Sequence, residues 1–268
     1  MSNRLSNLAT ENERIATAGS YTTAAGARVS IAPALAAARA GTVSHSPDFA
    51  PAGTGPFAGA AEVTDEDSMR AARRLTDGGV AHLAVLNFAS ARNPGGGYLR
   101  GAKAQEEDLC RTALLYPCLL EAPDYYAAHR ASADLAYSHR VIFSPHVPVI
   151  RDGARALLDQ PYRVSFLTSP APNAGQLALR SPGETVDVRD TLTERARRVL
   201  GAAAHHGVRE LVLGAWGCGV FRNDPAEVAD AFAEALHTHG APFTRITFAV
   251  WDRAADSPNR TAFRARFK

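Results

Sequence analysis

The sequence predicts an α/β sandwich, and three observations carry that expectation. Short apolar runs at 83–88, 141–143, 162–167, 211–213 and 245–250 alternate with longer segments whose apolar residues recur every three or four positions. Two glycine-rich stretches, Gly95-Gly96-Gly97 and Gly214-Ala215-Trp216-Gly217-Cys218-Gly219, each follow one of those runs, as loops at the carboxyl ends of strands do. A length of 268 residues with 46% hydrophobic and 21% charged content belongs to an ordinary folded chain with room for a sizeable core.

Residues 1–20 carry Leu5, Leu8 and Ile15 among good helix formers and close at Gly19, predicting a helix before a short strand at 29–31. Residues 32–59 are rich in Ala, Pro, Gly and Ser and read as loops with a helix near 34–40. A helix over 65–77 follows, with Thr64 as its cap and Met69, Ala72 and Leu75 on one face. Helix 124–136 precedes strand 141–143, which ends at Ser144-Pro145-His146. Strand 162–167 leads into Ser169-Pro170-Ala171-Pro172-Asn173, a rigid wall of small residues suited to the adenosine end of a ligand or to a plain connection. Residues 187–206 place Val188, Leu192, Ala196, Val199 and Ala203 on one stripe of a long helix, leaving Arg195, Arg197 and Arg198 for solvent. Strand 211–213 opens onto the second glycine loop; helix 225–239, strand 245–250 and helix 260–267 complete the chain, with no internal repeat.

Net charge is +2, from 29 basic and 27 acidic residues, so no dedicated nucleic-acid or membrane surface is announced. Lys103 and Lys268 are the only lysines; an arginine bias spread along an Ala-rich chain reflects composition more than phosphate recognition. Cys110, Cys118 and Cys218 form no C-x-x-C pair, which suggests a reducing compartment without a disulfide frame. The His205-His206 pair lacks ligand spacing, so neither a metal nor another cofactor is expected. Residues 1–10 lack a basic-then-apolar leader and no apolar run approaches the ~20 residues that span a bilayer, so a cytoplasmic location is expected.

The chain is organised around 83–116. An apolar run, a turn at Asn93-Pro94, three glycines, seven further residues and Gln105-Glu106-Glu107, opening a segment with Leu109, Ala113 and Tyr116 at helical spacing, give the order strand, glycine loop, acidic helix start. Bare amides near a helix N-terminus suit an anion, and carboxylates suit ribose hydroxyls or proton exchange with them. Neighbouring helical residues point roughly 100° apart, so Glu106 and Glu107 are expected to play different parts. Acidic residues in a first helical turn also serve the helix dipole, but a plain turn seldom needs three successive glycines. The P-loop pattern fails because Ala102 stands where its Lys belongs and Lys103 is followed by Ala104 rather than a hydroxyl residue, and the dinucleotide fingerprint meets Arg100 where a glycine is required. Cys218 has no adjacent general base, and His146 beside prolines is more often structural than catalytic.

Gly95-Gly96-Gly97 followed after seven residues by Gln105-Glu106-Glu107 resembles the GGG-x(6–8)-QEE signature of bacterial-type poly(ADP-ribose) glycohydrolases. The resemblance extends through 144–149, 169–175 and 214–223, most of the chain. It implies a macrodomain-like mixed β-sheet flanked by helices, with an N-terminal helical extension at 1–60 on a catalytic core at 61–268. It also implies hydrolysis of the ribose–ribose O-glycosidic bond, with poly(ADP-ribose), ADP-ribose and ADP-ribosylated proteins as partners. Carried over by position, Glu107 would protonate the leaving hydroxyl and then activate water, while Glu106 would hold ribose hydroxyls. Asn93, Gly95, Gly96, Gly97 and Gln105 would line the reacting ribose; Gly217, Cys218, Gly219 and Val220 would cradle the diphosphate, Phe221 would pack on the sugar, and Ser169 and Asn173 would face the adenosine. A helix N-terminus lowers a carboxylate pKa, the wrong direction for a general acid, so the second glutamate, the diphosphate or desolvation must oppose it. Two alternatives share these loops: a reader of ADP-ribose without hydrolysis, and a hydrolase removing single ADP-ribose units from protein or nucleic acid.

Overall fold

Strand β5 (Leu83–Phe88) is the middle strand of a seven-stranded sheet in the computed structural model, which describes residues 3–180 and 187–267. Helix α1 (Asn3–Ala18) leads into the hairpin β1 (Ser20–Thr22) and β2 (Arg28–Ser30), then α2 (Ala32–Ala40) and β3 (Val43–His45). Next come β4 (Ala60–Thr64), α3 (Ser68–Asp77), β5, a 3₁₀ turn (Tyr98–Arg100), α4 (Gln105–Thr112), α5 (Leu115–Leu119) and α6 (Pro123–Ala131). The remainder is β6 (Val141–Arg151), β7 (Leu157–Ser169), α7 (Ala174–Arg180), α8 (Val188–His205), β8 (Glu210–Leu213), α9 (Pro225–His239), β9 (Arg245–Ala249) and α10 (Pro258–Arg266). The strand order is β3-β6-β7-β5-β8-β9-β4, with β7, β5, β8, β9 and β4 parallel and β6 antiparallel between β3 and β7.

Alternation along β5 shows why the sheet is covered on both sides. Leu83 and Val85 join one core with side chains of α1 to α6, while Ala84 and Leu86 join a second core with α8, α9 and α10. The chain leaves β5 for β6 and β7 on one side and returns through α8 to β8 on the other. The carboxyl ends of β7, β5 and β8 therefore bracket a topological switch point, where open α/β sheets bind ligands. The α/β sandwich and its mixed sheet appear as expected.

Several boundaries differ, each for a local reason. Asp67, not Thr64, caps α3, because its carboxylate accepts from Met69 N at 3.0 Å and Arg70 N at 2.9 Å while Thr64 is still paired in β4. The acidic helix stops at Thr112: Ala113 turns extended and bridges Val149, and Leu114 N donates to Pro148 O at 2.9 Å. Helix α6 ends at Ala131, where Ser132 and Asp134 draw the amides of Asp134 and Ala136 into side-chain turns. Strand β6 continues past Ser144 through a bulge, and β3, read from sequence as loop, pairs on its edge. Arg195, expected in solvent, is fully buried: its guanidinium donates to the carbonyls of Pro170, Ala136 and Tyr137 at 2.7–3.0 Å.

Candidate functional site

Glu106 and Glu107 open α4 directly beneath the end of β5, and both are buried. Glu107 accepts from Gly97 N at 2.8 Å through Oε1 and from Ala104 N at 2.9 Å through Oε2. Glu106 accepts from Ser90 N at 2.7 Å and from Asn87 Nδ2 at 3.2 Å. The glycines exist for these carboxylates. A Cβ on Gly96 would stand 2.6 Å from Glu107 Oε1 and 3.0 Å from Glu106 Oε2, so the two side chains converge on the space a side chain would fill. Gly95 and Gly96 also take φ of +63° and +59°, which L side chains rarely adopt. Contrary to the sequence reading, the amides of Gly96 and Gly97 are not left bare for an anion: they donate to Asn93 O and to Glu107.

Burial pushes the Glu106 carboxyl up to about 8; the Glu107 charge adds to the rise, and hydrogen bonds from Ser90, Asn87 and Gly95 oppose it. Burial beside a second carboxylate thus makes Glu106 an acid that keeps its proton at neutral pH. Asn87 Oδ1, behind the pair, has no partner. Rotation of that amide would offer an acceptor to a protonated Glu106.

The second loop lies one strand over. Gly217 takes φ of +73°, and among the described residues the amides of Gly217, Gly219, Val220 and Phe221 meet no protein acceptor, whereas Cys218 N donates to Ala215 O at 3.2 Å. Consecutive free amides of this kind form an anion-binding concavity. The N-terminus of α9 is already capped by Asp224, which accepts from Ala226 N at 2.7 Å. Buried Trp216 fastens this loop to the wall after β7, donating from Nε1 to Ser169 O at 3.2 Å. Alanine at position 217 would bring Cβ to 2.3 Å from Asn223 Nδ2 and 2.6 Å from Ala171 Cβ. The variant Gly217→Ala should lose about 2–3 kcal/mol of stability, from the left-handed backbone and the displaced neighbours. Thermal melting checks this, and an unchanged midpoint would refute the fit.

Other sequence-chosen residues divide clearly. Gln105 ties elements together, accepting from Phe88 N at 2.9 Å and donating to Leu86 O at 2.8 Å and Ser68 Oγ at 3.1 Å. Ser169 is buried and bonds to Arg140 O, and Asn173 caps α7 by accepting from Gln176 N. Asn93 is exposed and closes the glycine turn through its carbonyl. His146, with φ of +47°, lies toward the opposite end of the sheet beside Ser165, away from the carboxylates. Among the described residues, no group of three or more His, Cys, Asp or Glu is placed to hold a metal ion, and no helix is long and apolar enough to cross a membrane.

Tyr137 and Trp251 escaped the sequence reading. Tyr137, at φ +62°, brings its ring within 6.1 Å of Phe221, and Arg195 bonds its carbonyl. Trp251, 53% exposed, follows β9 on the rim that carries the glycine loops. A non-glycine residue in left-handed backbone is seldom visible in sequence; an aromatic just past a strand's carboxyl end was the available signal for Trp251.

The mixed sheet with both loops at its switch point is that of a macrodomain-like α/β protein whose site presents paired carboxylates beside a run of free amides. The family model described as the catalytic domain of microbial-type PARG, poly(ADP-ribose) glycohydrolase, matches residues 9–152. The crystal structure of poly(ADP-ribose) glycohydrolase from Thermomonospora curvata is 45% identical with a TM-score of 0.89, covering 99% of this chain and 100% of that one. The same protein bound to the inhibitor ADP-HPD superposes equally, with 45% identity, a TM-score of 0.89 and the same coverage. The Deinococcus radiodurans enzyme in complex with ADP-ribose is 48% identical with a TM-score of 0.81, over 87% of this chain and 97% of that one. Comparison with curated proteins returns no match. The chain belongs to the microbial-type poly(ADP-ribose) glycohydrolase family.

Proposed function

We propose that this protein hydrolyses the ribose–ribose bond of poly(ADP-ribose) and releases ADP-ribose. The observation that carries the reading is the convergence of Glu106 and Glu107 over Gly96, beside a strand-end loop with free amides. Glycosidic cleavage passes through an oxocarbenium-like state and needs a proton for the departing oxygen and an activated water. In this reading Glu107 handles the proton and then the water, and Glu106 binds ribose hydroxyls. Because Glu106 is raised to about 8, the pair enters the cycle at neutral pH carrying a proton, which limits repulsion between the carboxylates and toward an anionic substrate. Proton donation by Glu107 requires the proton carried by the pair to pass from Glu106 to Glu107, and Glu107 to release an amide contact, to Gly97 or Ala104, on substrate binding.

Gly217, Gly219 and Val220 bind the diphosphate, and Phe221 with Tyr137 flanks the sugar. Trp251 offers a flat face to the base. Residues 1–60 act as an extension working with the 61–268 core as one unit. In support, Asn12 of α1, fully buried, donates to Arg111 O at 2.9 Å and so braces the acidic helix.

The test is ADP-ribose release from purified polymer by the wild-type protein, beside an ADP-ribose binding titration. Release with binding is expected. Binding without release would make the protein a reader and overturn the enzymatic reading.

A further inference from the structure

Between the glycines and Glu106 the chain folds back on itself. Arg100 N and Ala102 N both donate to Gly97 O, at 3.0 and 3.1 Å, Gly101 turns at φ +73°, and buried Arg111 holds Ala102 O at 2.9 Å. This arrangement puts Leu99, Arg100 and Lys103 on the outside. Leu99 is 50% exposed, and among the described residues neither Arg100 nor Lys103 has an acidic partner. The nearby Asp108 is already engaged by Arg155 and Arg111. Two cations without ion-pair partners thus follow an exposed apolar side chain on a segment whose interior holds the Glu107 carboxylate. Lys103 immediately precedes Ala104, the donor to Oε2, and Arg100 is tied to Gly97, the donor to Oε1.

Resting on the function proposed above, we infer that this outer edge is a subsite for the ADP-ribose unit on the leaving side of the scissile bond, with Arg100 and Lys103 on its diphosphate and Leu99 against its ribose or base. The argument is one of position and charge. In the proposed reading the bond to be cut lies at Glu107 and the released unit occupies the loop at 217–221, so the outer face of residues 99–103, whose inner side holds Glu107, is the adjacent surface open to the departing polymer. That departing unit carries a diphosphate, and Arg100 and Lys103 form no ion pair among the described residues; the neighbouring Glu13 of α1 is turned to the Tyr98 hydroxyl. Arginine suits phosphate as a planar fork and lysine as a mobile point charge. Attraction at this edge also concentrates a polyanion near the site.

The double variant Arg100→Ala/Lys103→Ala tests the subsite, with polymer hydrolysis and ADP-ribose affinity measured on the same preparation across a range of salt. Both side chains are exposed, and a thermal melt verifies that the fold is kept. The expected result is a fall of about tenfold in kcat/KM for polymer at low salt. The dependence on salt should flatten by roughly 1–2 in log–log slope, about 0.7 per lost phosphate contact on a single strand. ADP-ribose affinity should be unchanged, because free ADP-ribose fills the other side of the bond. Unchanged polymer kinetics would overturn the inference, as would an equal loss of polymer hydrolysis and ADP-ribose binding. A wild-type protein that binds ADP-ribose but releases none would instead sink the proposed activity, and the subsite with it.

Discussion

Replacing Glu107 with glutamine is expected to slow ADP-ribose release by roughly 10²–10⁴-fold, the usual scale for loss of a positioned acid/base. Affinity for ADP-ribose should stay within a few-fold of wild type. The substitution keeps shape and removes the ability to exchange a proton. It also places an amide NH₂ against one of two backbone donors, Gly97 N or Ala104 N, which now meet carboxylate oxygens. A buried donor left without an acceptor costs about 1–3 kcal/mol, so a modest fall in melting temperature should accompany the loss of rate. Melting and binding together separate the two effects. A folded variant that binds ADP-ribose and retains wild-type turnover would remove Glu107 from the chemistry.

Glutamine at position 106 should change the pH dependence of stability as well as the rate. The Glu106 carboxyl titrates near 8 in the folded protein against an ordinary value of 4.5. Between those limits the folded state holds more protons than the unfolded chain, so its stability falls as pH rises through the window. At about 1.36 kcal/mol per pKa unit, full ionisation of this group costs a few kcal/mol. Glutamine resembles the protonated acid, so Glu106→Gln should match wild type near pH 5 and exceed it by a few kcal/mol near pH 9. Unfolding curves at the two values decide the matter. A stability difference that ignores pH would show that Glu106 does not carry the shifted proton. If the protonated Glu106 holds ribose hydroxyls, KM for polymer should rise by only about threefold in the same variant, the effect of one altered neutral hydrogen bond.

Where sequence reading of this chain succeeded, the responsible signals were local. The run 83–88 matches β5 residue for residue, and 225–239 matches α9, because a short apolar run and a stripe with Pro at its start and Gly after its end are properties of a few neighbouring residues. Failures came where distant groups intervened. Ala113 left the acidic helix to pair with Val149, and Arg195 was drawn inside by carbonyls from two separate loops. Neither event leaves a trace in the residues around it.

The amino-acid sequence alone thus determined the alternation of elements, the two glycine loops and the acidic helix start, since each follows from side-chain periodicity and backbone freedom within a short window. Tertiary structure decided what those parts do for one another. It turned the first loop's amides inward onto Glu107 and left the second loop's amides free. It put the raised pKa on Glu106 and brought Tyr137 beside Phe221. Desolvation, amide orientation and ring placement depend on what surrounds a group in space, and that is set only when the strands β7, β5 and β8 come together.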